Sequence, residues 1–382
     1  MTHQVNEQLE LFTLPELTNC DDFNAYVRFK RIPILGQIEL TRRCNLNCIM
    51  CYSSPIEGLK ELDYNEICSI VDDVAKEGCL WLLLTGGEPF IHKDFIKIYK
   101  YIAKKGINIY IETNATLLSS QIMEVLHDIS PVMIAVSFYG ATKATYESVT
   151  RVPGSFEKFM EGIKLLKKYD VPFRLRTPLT ILNQNELEEM KKFADNINVS
   201  YNANAFIFPK QNGSRISCEF VTSLPLIGNY SNNDNNTSSD KKESRNFHGD
   251  LSSIIIYPSC MEGINSFYVN AYCELQACII FWNTKYNLRE GSFHDAWYNW
   301  IPNFRRLYPS TTCIASSIFR SDGLCPGGEF QKNRINDLTI PIEKHVINFV
   351  ENSKNPREET LKQLGLPDKV YYEWVKQFGN YS

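Results

Sequence analysis

Long apolar runs are missing from this chain of 382 residues, and with them any segment able to span a bilayer. The first residues, MTHQVNEQLELF, hold no basic patch followed by an apolar core, so they do not read as a secretory signal. A surplus of positive charge is missing too. Forty Lys and Arg face 44 Asp and Glu, a net charge of −4, so no global field draws nucleic acid. The Lys104-Lys105, Lys167-Lys168 and Lys191-Lys192 pairs fall near expected helix ends and read as solvated faces. No motif recurs at a short fixed period. These absences predict a cytoplasmic protein that binds neither membrane nor nucleic acid.

Cysteine is not scarce. The chain has twelve, and they are unevenly clustered. A reducing compartment disfavours structural disulfides, so grouped thiols there more often hold metal or take part in chemistry.

Hydrophobic periodicity divides the chain into alternating elements. Strands are expected at 34–40, 80–84, 107–112, 132–138, 172–180 and 201–208. Helices are expected from an Asp63 cap to Gly78, and over 94–105, 119–129, 155–169 and 185–196. Six strand–helix alternations with short connections imply a parallel sheet with crossover helices. Such sheets build their sites at the C-terminal ends of strands. The expected organisation is an extension over 1–33, an α/β unit over 34–228 and a polar linker over 229–251. A cysteine-rich unit over 252–335 and a helical tail over 336–382 follow.

The first cysteine group follows the first strand. Cys44-Asn-Leu-Asn-Cys48-Ile-Met-Cys51 places three thiols in one short loop. A structural zinc site needs a fourth ligand and more often uses paired Cys-x2-Cys units. Three thiolates suit a 4Fe–4S cluster with one iron left open. Arg42 and Arg43 would offset the charge of such a cluster. After the second strand comes Gly86-Gly87-Glu88-Pro89. Its glycines let backbone approach a ligand closely, and Glu88 can accept from an ammonium group.

CNLNCIMCY resembles the signature of the radical S-adenosylmethionine (SAM) superfamily, with Tyr52 as the aromatic residue after the third cysteine. The resemblance covers 34–209 and implies a partial (β/α)6, TIM-like barrel. It implies that Cys44, Cys48 and Cys51 hold a 4Fe–4S cluster whose open iron chelates SAM. It further implies that the Gly86, Gly87, Glu88 and Pro89 segment meets the amino group of SAM's methionine. Thr113 and Asn114 match a lining segment, and Ser137 matches a ribose contact. Arg174 or Arg176 is available to the SAM carboxylate by a charge-assisted contact.

Further along, Cys260, Cys278, Cys313 and Cys325 resemble the SPASM or twitch extensions that carry auxiliary clusters. Ser316 and Glu329 stand where a full SPASM domain would add cysteines. The resemblance therefore implies one auxiliary 4Fe–4S cluster, with a zinc site as the competing occupant. Three roles are open to Cys273: a cluster ligand in place of Cys313, a hydrogen-atom donor to a substrate radical, or a buried packing residue. Cys20, Cys68, Cys79 and Cys218 read as packing residues.

Chains with these extensions mostly modify peptides. The expectation is a radical SAM enzyme that matures a ribosomally made precursor peptide by epimerisation or cross-linking. Its partners would be that peptide and an electron donor such as flavodoxin or ferredoxin; with 33 residues before the first expected strand, either a leader is bound elsewhere, or a separate leader-binding protein takes it, or the substrate bears no leader. The alternatives are a small-molecule radical SAM dehydrogenase and a non-catalytic metal-binding scaffold.

Overall fold

The computed structural model describes residues 27, 30–53, 55–204, 207, 208, 210, 214, 216–220, 222, 230–231, 263–276, 279 and 285–303. Six parallel strands run in chain order across one sheet: β1 (Leu35–Thr41), β2 (Trp81–Gly86), β3 (Asn108–Thr113), β4 (Met133–Ser137), β5 (Phe173–Pro178) and β6 (Tyr201–Asn204). The crossovers carry α1 (Tyr64–Lys76), α2 (Phe95–Lys104), α3 (Ser120–Asp128), α4 (Lys143–Thr150), α5 (Ser155–Lys168) and α6 (Leu187–Asn196). This is the expected α/β partial barrel, with each expected strand and helix in its place.

The strands alternate, as a sheet covered by helices on one side requires. Ile38 and Leu40, Leu82 and Leu84, Ile109 and Ile111, and Ile134 and Val136 face outward into the helical layer and are fully or almost fully buried. Gln37, Leu83, Glu112, Ala135 and Arg176 face inward onto an open space. The inner face is polar where a closed barrel would pack apolar side chains. Helix α1 shows why its start was legible. Asp63 accepts from Glu66 N and the Glu66 side chain accepts from Asp63 N, a capping box.

Three findings depart from expectation. Helix α4 was not anticipated, because its eight residues KATYESVT have only a weak apolar stripe. Tyr230 and Ser231, at the start of the expected linker, pair as an antiparallel strand β7 with β6. The segment expected to open a separate cysteine-rich unit instead extends the barrel's own sheet. Strand β8 (Ser266–Val269) pairs parallel with β1, from Leu35 opposite Ser266 to Ile38 opposite Val269. Strand β9 (Glu274–Gln276) and β10 (Tyr286–Asn287) continue antiparallel from it. Apolar positions explain this: Phe267, Val269 and Leu275 join the same core as Ile38 and Leu82. Cys260, Cys278, Cys313, Cys325, Cys20 and the tail over 336–382 lie outside the described residues. Among the described residues no helix is long and apolar enough to cross a membrane.

Candidate active site

The cysteine loop leaves the C-terminal end of β1 and is tied down at its start and in its middle. At its start, Glu61 accepts from Arg42 N at 2.8 Å, Thr41 Oγ1 at 2.8 Å and Arg43 Nε at 3.0 Å. In its middle, Asn47 N and Ile49 N donate to the carbonyls of Thr150 and Val149, each at 3.0 Å. These carbonyls belong to the last turn of α4, where a helix has no partners of its own to offer. The unanticipated helix is therefore the dock for the cysteine loop, and Ile49, Met50 and Val149 close the joint with apolar contact.

Cys44, Cys48 and Cys51 line one cavity of about 650 Å³ at the C-terminal rim of the barrel. Tyr52, Gly86, Gly87, Thr113, Asn114, Ser137 and Arg176 line the same cavity, so the structure brings these expected residues together. The thiols lie within electrostatic reach of one another. Burial, followed by smaller effects that include the nearby Cys51 and Glu88, pushes the Cys44 thiol up to about 11. Burial also raises Cys48 and Cys51. Such thiols take up metal only by releasing protons. Among the described residues no three ligating side chains close around a single ion. Three thiols around a cavity suit a multi-iron cluster better than one zinc ion. On this donor set, a three-cysteine cluster fits the site.

Several neighbours orient the thiols. Asn114 Nδ2 points at Cys44 Sγ at 3.8 Å, because its amide oxygen already accepts from Thr116 N and Oγ1. Tyr139 lines the cavity close to Cys48 and Ser137. Lys210 also lines the cavity and acts on Cys51 through space. Tyr139, Lys210 and Glu112 were not singled out in the sequence. Strand alternation was the available signal: Ala135, Ser137 and Tyr139 share a face, as do Tyr110 and Glu112.

Four expected roles are revised. First, the glycines serve the fold as well as any ligand. A Cβ on Gly86 would sit 2.2 Å from the Thr41 carbonyl oxygen, and one on Gly87 would sit 2.4 Å from that of Arg43. The backbone of this segment is hydrogen-bonded against the cysteine loop, through Gly87 N to Thr41 O at 2.8 Å and Glu88 N to Arg43 O at 3.0 Å.

Second, Glu88 and Pro89 are buried and do not line the cavity. The Glu88 carboxylate accepts from Thr113 Oγ1 at 2.7 Å, Asn114 N at 2.8 Å and Phe90 N at 3.3 Å. Its burial raises the carboxyl to about 7, against the pull of those donors. It joins the end of β3 to the turn after β2.

Third, Arg176 pairs with Glu112, and Arg174 lies away from the rim in a second, smaller cavity. Neither stands as a free cation beside the thiols. Fourth, Cys273 is 3% exposed and packs in the helical-side core, not on the cavity. Its neighbours are Arg289, Glu66 and Lys60. It sits in the tight turn between β8 and β9 with φ of 66°, a left-handed conformation that favours glycine. Cys79 is buried, while Cys68 and Cys218 are partly buried, in keeping with packing roles.

Residues 38–195 match the radical SAM superfamily. An AdoMet-dependent heme synthase from Methanosarcina barkeri is 33% identical over 184 residues, 47% of this chain and 52% of that protein. The antilisterial bacteriocin subtilosin biosynthesis protein AlbA of Bacillus subtilis is 30% identical over 162 residues, 42% of this chain and 36% of that protein. The chain thus spans about half the length, or less, of these curated relatives. Among solved structures, Streptococcus suis SuiB bound to S-adenosylmethionine aligns with a TM-score of 0.59 at 15% identity, over 83% of this chain and 80% of that one. SuiB bound to precursor peptide SuiA aligns with a TM-score of 0.54 at 14% identity, over 72% and 68%. These likenesses are of fold.

Proposed function

From the premise that residues 38–195 form a radical SAM domain, we propose that this chain cleaves SAM reductively and modifies a precursor peptide. The observation that carries the reading is the convergence of Cys44, Cys48 and Cys51 on the same cavity as Gly86, Gly87, Asn114 and Ser137. The three cysteines would hold the 4Fe–4S cluster. When bound, cluster and SAM supply the 5′-deoxyadenosyl radical that takes hydrogen from substrate. The chain's own part is to hold and shield. Asn114 holds the Cys44 sulfur and Tyr139 stands beside Cys48, the glycine turn brings backbone to the rim, and the polar barrel interior receives the substrate.

The peptide assignment is supported by AlbA among the relatives and by the fold shared with SuiB, which was solved with a precursor peptide. Epimerisation and cross-linking both remain within it. An auxiliary 4Fe–4S cluster on Cys260, Cys278, Cys313 and Cys325 belongs to the same proposal. So do a flavodoxin- or ferredoxin-type donor, a separate leader-binding protein and a cytoplasmic setting. The heme synthase relative favours a second reading, a small-molecule substrate.

The test is anaerobic reconstitution followed by iron and sulfide counts and a 5′-deoxyadenosine assay. Two clusters predict about eight irons, falling to about four in a Cys44→Ala/Cys48→Ala/Cys51→Ala variant that makes no 5′-deoxyadenosine. A reduced wild-type protein that leaves SAM intact would sink the enzyme reading and favour a metal-binding scaffold.

A further inference from the structure

The space inside the barrel does not end at the rim. A second cavity, of about 160 Å³, lies deeper toward the N-terminal ends of the strands. It shares Gln37, Leu83, Glu112 and Ala135 with the upper cavity, so the two lie one below the other against the same inner wall. Ala135 lines both and leaves room at their junction. In the sheet it sits between Glu112 on β3 and Arg174 on β5, and its methyl group fills little of the row.

The charges in this row are not balanced. Glu112 turns upward to pair with Arg176, the next inward residue of β5, and also accepts from Thr85 Oγ1 at 3.3 Å. Arg174 is left exposed, without an acidic partner among the described residues. In this row two arginines face one carboxylate, which leaves one surplus positive charge at the bottom. Around Arg174 the wall is largely apolar, with Leu35, Leu83 and Met133. Two residues along a strand separate Arg174 from Arg176, about 7 Å. That is the reach of a short aliphatic stem.

We propose that this lower chamber is a seat for the carboxylate of a substrate arm, with an aliphatic stem in the apolar sleeve and Arg174 at its end. A guanidinium bordered by apolar side chains is well matched to a carboxylate, through paired N–H donors. The ligand chemistry is a carboxylate on two or more methylenes, either a glutamate side chain of a peptide or a small carboxylic acid. The proposal rests on the reading of the rim as the radical site, since it sets how far the anchored group lies from the reacting position.

The experiment uses the full chain, reconstituted anaerobically, as wild type, Arg174→Gln and Arg174→Lys. Saturation-transfer NMR follows four probes: hexanoate, hexanol, and two blocked pentapeptides with a central glutamate or glutamine. The expected result is binding of hexanoate, of the glutamate peptide, or of both. That binding weakens about tenfold in Arg174→Gln and partly recovers in Arg174→Lys, while hexanol is unchanged. Binding of the glutamate peptide assigns the seat to a peptide arm, and binding of hexanoate alone assigns it to a small acid. Carboxylate binding that is absent, or equal in wild type and Arg174→Gln, overturns the seat. Substrate-free 5′-deoxyadenosine formation is measured alongside. Its absence in the wild type would fault the radical reading, not the seat.

Discussion

The Arg42 guanidinium stands 5.0 Å from the centre of the Tyr272 ring. It is also paired through Nε with Glu39 at 3.0 Å, both side chains being almost fully buried. The contact joins the start of the cysteine loop to the turn between β8 and β9. The same turn receives Leu62 N at the Ala271 carbonyl, at 2.7 Å, and Ile56 N at the Tyr272 hydroxyl, at 2.6 Å. A turn that lies more than 200 residues further along the chain thus braces the loop beside its thiols.

Glu39→Gln strips a buried arginine of its counter-charge. The expected cost is about 3–5 kcal/mol, because the uncompensated cation stays buried. Tyr272→Leu, which removes only the ring face and hydroxyl, costs about 1–2 kcal/mol. Urea denaturation of the metal-free chain reads both. Equal effects would show that the ion pair is not what braces the loop.

Glu88 makes stability depend on pH. Its carboxyl is raised by burial from 4.5 to about 7 in the folded chain. Between those values the folded state keeps a proton that the unfolded state has lost. Stability from this group therefore falls as pH rises through that window and levels off above it. Denaturation of the metal-free protein at intervals from pH 5 to pH 8 should show this decline. Glu88→Gln should flatten it. A wild-type curve rising through that window would show that another group governs stability there.

Gly86→Ala and Gly87→Ala should both fail structurally before they fail chemically. Each new Cβ meets a backbone oxygen of the cysteine loop, and Gly86 also has φ of 141°. A loss of at least about 2 kcal/mol is expected for each, with weakened iron retention. Thermal melting and iron counts test this. A stable, fully loaded variant that merely binds SAM poorly would return the glycines to a purely ligand-facing role.

Cys273→Ala should leave the reaction alone. The thiol lies in the helical-side core and off the cavity, so turnover with a competent substrate should stay within about twofold of wild type. Stability should change by about 1 kcal/mol. A variant that still forms 5′-deoxyadenosine yet cannot finish the product would restore the hydrogen-donor role.

The parts of the molecule that follow a simple period were legible in the sequence. Ile109 and Ile111 announce a strand, and Asp63 with Glu66 announces a helix start. The three thiols were legible because they are close in sequence as well as in space. What depends on distant partners was not. Nothing in Glu88 itself says that Thr113 and Asn114 will consume its carboxylate. Nothing in SFYV at 266–269 says that it will pair with β1 and not found a separate unit. Helix α4 was missed for a different reason: it is short, weakly amphipathic, and recognisable chiefly by what docks on its last carbonyls.

The parallel pairing of β8 with β1 also governs the order in which this molecule can be made. Strand β1 emerges first from synthesis, yet one of its two edges waits for Ser266–Val269. Contacts of such long sequence separation form late. Until they form, Ile38 and Leu40 belong to a strand with an open edge, and the cysteine loop lacks its Tyr272 brace. An open apolar edge invites pairing with other chains. A nascent or truncated chain that stops short of β8 would therefore carry all three thiols and still be a poor iron acceptor, prone to self-association. The fold times assembly of the site to the arrival of Ser266–Gln276.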